Sequence, residues 1–294
     1  MGTSHAGVCT LLDVLAQAVS LYPHRELAFI PSSSADYSIK AKTLRSFCEQ
    51  VRRLAYVLVR LGRPSGSVII VYLTEHEDNL AAIWACLFAG LVPCLQPTLS
   101  AQSAHKERHV AHLKHLLESA MWLTDEAGAQ QLHAVSELEV YLFSELVAQA
   151  ERSDIHDWCP HTPTPDDDAI LFLTSGSTGL SKAVVHTHRT ILAACYSKGL
   201  NYGLSPESKI LNCLFVCSYF IRQVLTCTVR TGVGFDHVAG SLEMHITPLL
   251  FGAYQLHVHA SVILADSFQF LRLFDEKVKC CDRVKAIRTN EDPF

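Results

Sequence analysis

The chain has 294 residues, 49% of them hydrophobic, which is enough to bury a substantial core in one large domain or two smaller ones. A formal net charge of −5 excludes the overall basic field that nucleic-acid binders use. The apolar run Ile210–Val229 is interrupted by Arg222 and Gln223, so no membrane span is expected. The opening MGTSHAGVCTLLDVLAQAVSLYP has no basic region followed by a long apolar one, so no secretory signal is read and a cytoplasmic location is expected. The 11 cysteines follow no framework spacing and are expected to be reduced thiols.

In chain order, Leu11–Leu21 is predicted as an amphipathic helix, Glu26–Pro31 as a short strand and Ser32–Ala35 as its turn. Apolar residues at Phe47, Val51, Leu54, Ala55 and Leu58 predict a helix over Thr43–Leu61, stopped by Gly62. The β-branched run Ser67–Leu73 predicts a buried strand, Asn79–Ala89 a helix ended by Gly90, and Leu91–Pro97 a further strand. His105–Ser119 is predicted as a helix, and Ala120–Thr124 and Glu139–Phe143 as strands. Pro160–Asp168 reads as a connector, Ala169–Leu173 as a strand and Thr187–Gly199 as a helix. Strand, helix and strand in this order predict right-handed βαβ units and an α/β fold.

After the strand at Ala169 comes Thr174-Ser-Gly-Ser-Thr-Gly-Leu-Ser-Lys182, read as lying between a strand and a helix-forming segment. Glycines let a backbone approach a ligand closely, and successive N–H groups then form a concavity for anions. The hydroxyls add donors and Lys182 a mobile positive charge, a combination suited to a polyphosphate. It is not a Walker A motif, which places the lysine directly after the second glycine and a Ser or Thr after that. Here Leu180 and Ser181 intervene and Ala183 follows.

The stretch LTSGSTGLSKAV closely resembles the phosphate-binding signature of the adenylate-forming superfamily, which includes acyl-CoA synthetases, luciferases and the adenylation domains of nonribosomal peptide synthetases (NRPS). WACLFAGLVPCLQP (Trp84–Pro97), HTHRTILAA from His186, and GFDHVAGSLEMHITPLLFGAYQLHV (Gly234–Val258) resemble further core segments. The wording looks most like fungal NRPS-like or acetyl-CoA synthetase-like domains of secondary metabolism, over roughly residues 10–211 and 233–276.

The resemblance implies a partial N-terminal domain of the adenylate-forming fold over 10–276, with a mixed sheet flanked by helices. It implies ATP with Mg²⁺, a carboxylic acid substrate, and a thiol acceptor from CoA or the phosphopantetheine of a carrier protein. Carried over for the β- and γ-phosphates are Thr174, Ser175, Gly176, Ser177, Thr178, Gly179 and Lys182. Phe235, Asp236 and His237 match the acyl-pocket segment. His237 would orient the carboxylate and Asp236 would meet an amino group if the acid has one; both also suit a polar strand end or helix cap.

Two segments depart from the resemblance. CLFVCSYFIRQVLTCTVRTG, Cys213–Gly232, has no counterpart and reads either as a retained intron or as a family-specific insertion; three cysteines without a fourth ligand argue against zinc. The tail KVKCCDRVKAIRTNEDPF, 277–294, diverges, and the adenine and ribose motifs and the small C-terminal domain with its lysine are not found. The expectation is a truncated adenylating enzyme, inactive as it stands, or else a non-catalytic nucleotide- or partner-binding remnant. His105, His109, His112 and His115 share one helix face, predicted as a solvated face rather than a metal site.

Overall fold

The computed structural model describes residues 8–29, 39–100, 102–118, 120–133, 138–174 and 181–201, with side chains as far as Tyr196. The first helix, α1 (Leu11–Leu21), starts at a reciprocal cap: Thr10 Oγ1 accepts from the Asp13 amide at 3.3 Å, and Asp13 Oδ2 accepts from the Thr10 amide at 2.8 Å. Leu11, Leu12, Val14, Leu15 and Ala18 form its buried face. Strands β1 (Glu26–Phe29) and β2 (Lys40–Thr43) make a small antiparallel pair apart from the main sheet. Helix α2 (Leu44–Arg60) is capped by Thr43, whose hydroxyl accepts from the Ser46 amide, and buries the apolar stripe expected of it.

The α/β core follows as β3 (Val68–Tyr72), α3 (His76–Ala89), β4 (Val92–Leu95), α4 (Ser103–Leu116), β5 (Met121–Thr124), α5 (Glu126–Leu132), β6 (Val140–Leu142) and α6 (Phe143–Glu151). It closes with β7 (Asp168–Thr174), β8 (Lys182–Thr187) and α7 (His188–Asn201). The six-stranded sheet has the order β6-β5-β3-β4-β7-β8, with every neighbouring pair parallel except β7 and β8. Val110 and Leu113 of α4 and Leu132 of α5 pack on Ile70, Tyr72, Val92, Cys94, Trp122 and Leu171. Side chains alternate along a strand, so the buried Ile69 and Val71 face the opposite layer, where α3 meets β3 and β4 and α2 packs on α3 and α6. This is the α/β fold that the strand–helix alternation predicts, with the mixed, helix-flanked sheet that the resemblance implies.

From Leu80 on, helix α3 is apolar all round because it lies between the sheet and α2; Leu80 to Trp84 are fully buried. It ends at Gly90, whose φ of 75° is the left-handed conformation, and a Cβ there would lie 2.8 Å from His161 Cγ. Four elements escape the periodicity argument. Strand β2 is exposed or half-exposed along its length and carries no apolar alternation. Helix α5 is only 7 residues long, and α6 begins at Phe143, where the sequence reading ends a strand. The fourth, β8, bears directly on the site.

Candidate polyphosphate site

The segment after β7 does not run into a helix, as expected from the sequence. It returns as β8, antiparallel to β7, so the glycine- and serine-rich connection joins the two strands of a hairpin and α7 begins only at its far end. Strand β8 is hard to read because its period is blurred: Lys182 and Val185 are exposed and the residues between them half-buried, a pattern compatible with helix or strand.

The hairpin register makes Thr174 and Lys182 direct cross-strand partners, with Thr174 Oγ1 donating to the Lys182 carbonyl at 3.4 Å. Both side chains are exposed, and Lys182 makes no ion pair among the described residues. The Lys182 and Thr174 side chains thus stand together at the end of β7 that lies alongside the C-terminal ends of β3, β4 and β5. In open α/β sheets this edge is where ligands bind. Of the other candidates, Ser175, Gly176, Ser177, Thr178, Gly179, Phe235, Asp236 and His237 lie outside the described residues. So do the insertion 213–232 and the tail 277–294.

Two histidines on α4 are not the solvated side chains expected. His109 and His112 are half-buried, whereas His105 and His115 are exposed. His112 Nε2 lies 2.7 Å from the Ser181 carbonyl, so this nitrogen carries the proton and donates. His109 Nε2 lies 3.1 Å from Gln96 Oε1, while the Gln96 amide nitrogen donates to the Pro97 carbonyl. Burial, with the neighbouring His112 charge second, holds the His109 imidazole below its ordinary pKa. One turn of α4 therefore ties the end of β4 to the residue before Lys182. The sequence shows the histidine spacing but not a partner 69 positions away.

Farther along the same edge, Asp125 joins β3 to β5: Oδ2 accepts from the Thr74 amide and Oδ1 from the Gly128 amide, both at 2.7 Å. Burial raises the Asp125 carboxyl, but hydrogen bonding from the Thr74 side chain, with the Gly128, Thr74 and Asp125 amides after it, outweighs burial and leaves the pKa below the ordinary value. A Cβ at Gly128 would sit 2.0 Å from Thr124 Oγ1, so only glycine lets α5 approach β5 this closely.

The opposite end of the sheet holds a hollow of about 260 Å³ lined by Ser65, Gly90, His161, Asp167, Asp168 and His188. It lies at the starts of β3, β4 and β7, away from Lys182. Among the described residues no three His, Cys, Asp or Glu side chains converge as metal ligands. No helix among them is long and apolar enough to cross a membrane. The described cysteines are thiols rather than disulfides.

Residues 16–240 match the AMP-binding enzyme family. The chain is 61% identical over 269 residues to the atromentin synthetase greA of Suillus grevillei, covering 91% of this chain and 26% of that protein. It is 58% identical over 270 residues to the inactive atromentin synthetase invA6 of Paxillus involutus, again covering 91% and 26%. The chain thus spans about a quarter of the length of these relatives. Among solved structures, the adenylation domain of a keto acid-selecting NRPS module bound to keto acyl adenylate superposes with a TM-score of 0.64 at 22% identity, covering 76% of this chain and 41% of that one. That likeness carries the fold.

Proposed function

The chain belongs to the AMP-binding enzyme family, and from that premise we propose that it supplies the polyphosphate-binding part of an ATP-dependent carboxylate-activating enzyme of fungal secondary metabolism. The observation that carries this reading is the pairing of Thr174 with Lys182, which makes no ion pair among the described residues, at the connection end of the β7–β8 hairpin. The complete reaction is proposed for a whole protein of the relatives' length.

In that reaction a carboxylate oxygen attacks the α-phosphorus of ATP. A carbon-bound oxygen–phosphorus bond forms, the bond to the β-phosphate oxygen breaks, and pyrophosphate leaves with the electron pair. A thiolate, from CoA or a carrier protein's phosphopantetheine, then takes the acyl group and releases AMP. The first step brings two anions together, so positive charge and hydrogen-bond donors must neutralise the phosphates. We assign that work to Lys182, Thr174 and the segment Ser175, Gly176, Ser177, Thr178 and Gly179. Mg²⁺ supplies charge neutralisation when it arrives with the phosphates; no described residue is assigned to it. Phe235, Asp236 and His237 remain the proposed acyl-pocket residues, with His237 meeting the carboxylate.

The test is carboxylate-dependent exchange of labelled pyrophosphate into ATP, run on a whole protein carrying this segment and on its Lys182→Ala variant. Exchange lost by at least tenfold in the variant supports the reading. A second reading, nucleotide or partner binding without turnover, is favoured by the 58% identity to a relative named inactive. ATP binding with no exchange for any carboxylic acid would establish that second reading.

A further inference from the structure

A polar side chain that bonds the residue before β8 comes from α4, a helix that the phosphate-binding signature does not include. The Ser181 carbonyl, immediately before Lys182, receives its bond from His112 Nε2 at 2.7 Å. The bond comes from a defined donor: a carbonyl only accepts, so Nε2 carries the proton. One turn earlier, His109 is tied to Gln96 at the end of β4. Val110 and Leu113, between and beside these histidines, are fully buried under the sheet. A rigid, core-anchored turn therefore presents one N–H to the backbone at the start of β8. On the other side, β7 pairs with β8 along the ladder as far as Thr174 and Lys182 and adds the 3.4 Å contact from Thr174 Oγ1 to the Lys182 carbonyl.

We propose that His112 is a positioning residue for the polyphosphate site: its Nε2–H fixes the Ser181 carbonyl and thereby sets where Lys182 leaves the hairpin. Its ligand half rests on the function proposed above. An ammonium on a four-carbon stem reaches a phosphate from many backbone placements, but each freedom adds an entropic cost to binding. Holding its backbone in advance removes part of that cost. His112 does not touch the phosphate in this account; it acts through Ser181 and Lys182.

The test uses the full chain and two readouts: amide hydrogen exchange over 181–187, and equilibrium binding of inorganic pyrophosphate with Mg²⁺. The expected result for His112→Ala is exchange over 181–187 about tenfold faster and pyrophosphate affinity about tenfold weaker. His112→Gln, which keeps an N–H donor at the Nε2 position, restores both. His115→Ala, an exposed imidazole on the same helix, changes neither and separates the bond from the loss of a histidine.

The inference is overturned if His112→Ala matches the wild type in either readout, if His112→Gln behaves as His112→Ala does, or if His115→Ala reproduces the loss. If the wild type binds neither pyrophosphate nor ATP, the proposed function falls and takes the ligand half of this inference with it. The exchange data, with rescue by glutamine, still decide independently whether His112 holds the stem.

Discussion

At the base of the β7–β8 hairpin Ala169 and Ile170 are fully buried, whereas at its tip Thr174 and Lys182 are both exposed. The base is also heavily bonded. His188, 2% exposed, accepts the Leu11 amide on Nδ1 at 3.2 Å and so caps one of the free N–H groups of α1. Arg189 grips Asp166 through two bonds, Nε to Oδ1 at 2.7 Å and Nη2 to Oδ2 at 2.8 Å. Halfway up, Phe172 meets the His186 ring edge-on at 5.3 Å. The tip has the His112 bond and the Thr174 contact instead. One short hairpin thus separates two tasks: its base carries the packing, and its tip leaves a cation and a hydroxyl open to solvent.

The largest expected effect lies at the base. Ile170→Ala removes a fully buried branched side chain and should cost about 2–5 kcal/mol by denaturant unfolding. Val185→Ala, 49% exposed on the neighbouring strand toward the tip, should stay within about 0.5 kcal/mol. Similar costs at the two positions would dissolve the contrast.

The next effect depends on pH. Burial, outweighing the nearby Asp167 and Asp13 charges, holds the His188 pKa at about 4 against an ordinary 6.5. The unfolded chain therefore binds more protons than the folded one between these values. This contribution to stability is fully present above pH 6.5 and is lost as pH falls through about 4. Asp78 works the other way: burial, then the Glu77 and Glu75 charges, raise its pKa to about 6 from 3.8, so its contribution is present at low pH and lost as pH rises through 6. The two slopes oppose each other, and the wild type alone shows a muted profile. The informative quantity is the difference from His188→Asn, which keeps an acceptor near Nδ1 and does not titrate. From pH 7 to pH 4 the wild type should lose roughly 3 kcal/mol relative to that variant. Parallel curves would remove His188 from the account.

A smaller effect is expected at the cap that shares the start of α1. Thr10→Ala should cost about 1 kcal/mol by denaturant unfolding, since it removes the acceptor for the Asp13 amide. No loss would show that the His188 bond alone suffices to hold that helix end.

Much of this fold is legible in the sequence wherever burial imposes a clean period. Leu11–Leu21 and the stripe from Phe47 to Leu58 are helices as read, and Gly90 stops α3 as a left-handed glycine should. Helix α3 starts three residues earlier than expected because Glu75 takes the N-cap place without a side-chain bond to mark it. Strand β8 is missed because a half-buried edge strand has no strict alternation. At the site, the chemistry of Lys182 is legible from its neighbours in sequence, while its support is not. His112 and Ser181, 69 positions apart, meet only in the folded sheet, and nothing local to either residue announces the other. His188 is equally silent: its partner, Leu11, is 177 positions away.

The most direct measurement is equilibrium binding of ATP and of pyrophosphate, each with Mg²⁺, to the wild-type chain and to Lys182→Ala, with thermal unfolding recorded on both. The wild type should bind both ligands, and the variant should bind them at least tenfold more weakly. The melting temperature should be unchanged, because Lys182 is exposed and makes no ion pair among the described residues. Equal affinities in the two proteins would contradict this, since Lys182 would then have no part in holding phosphate.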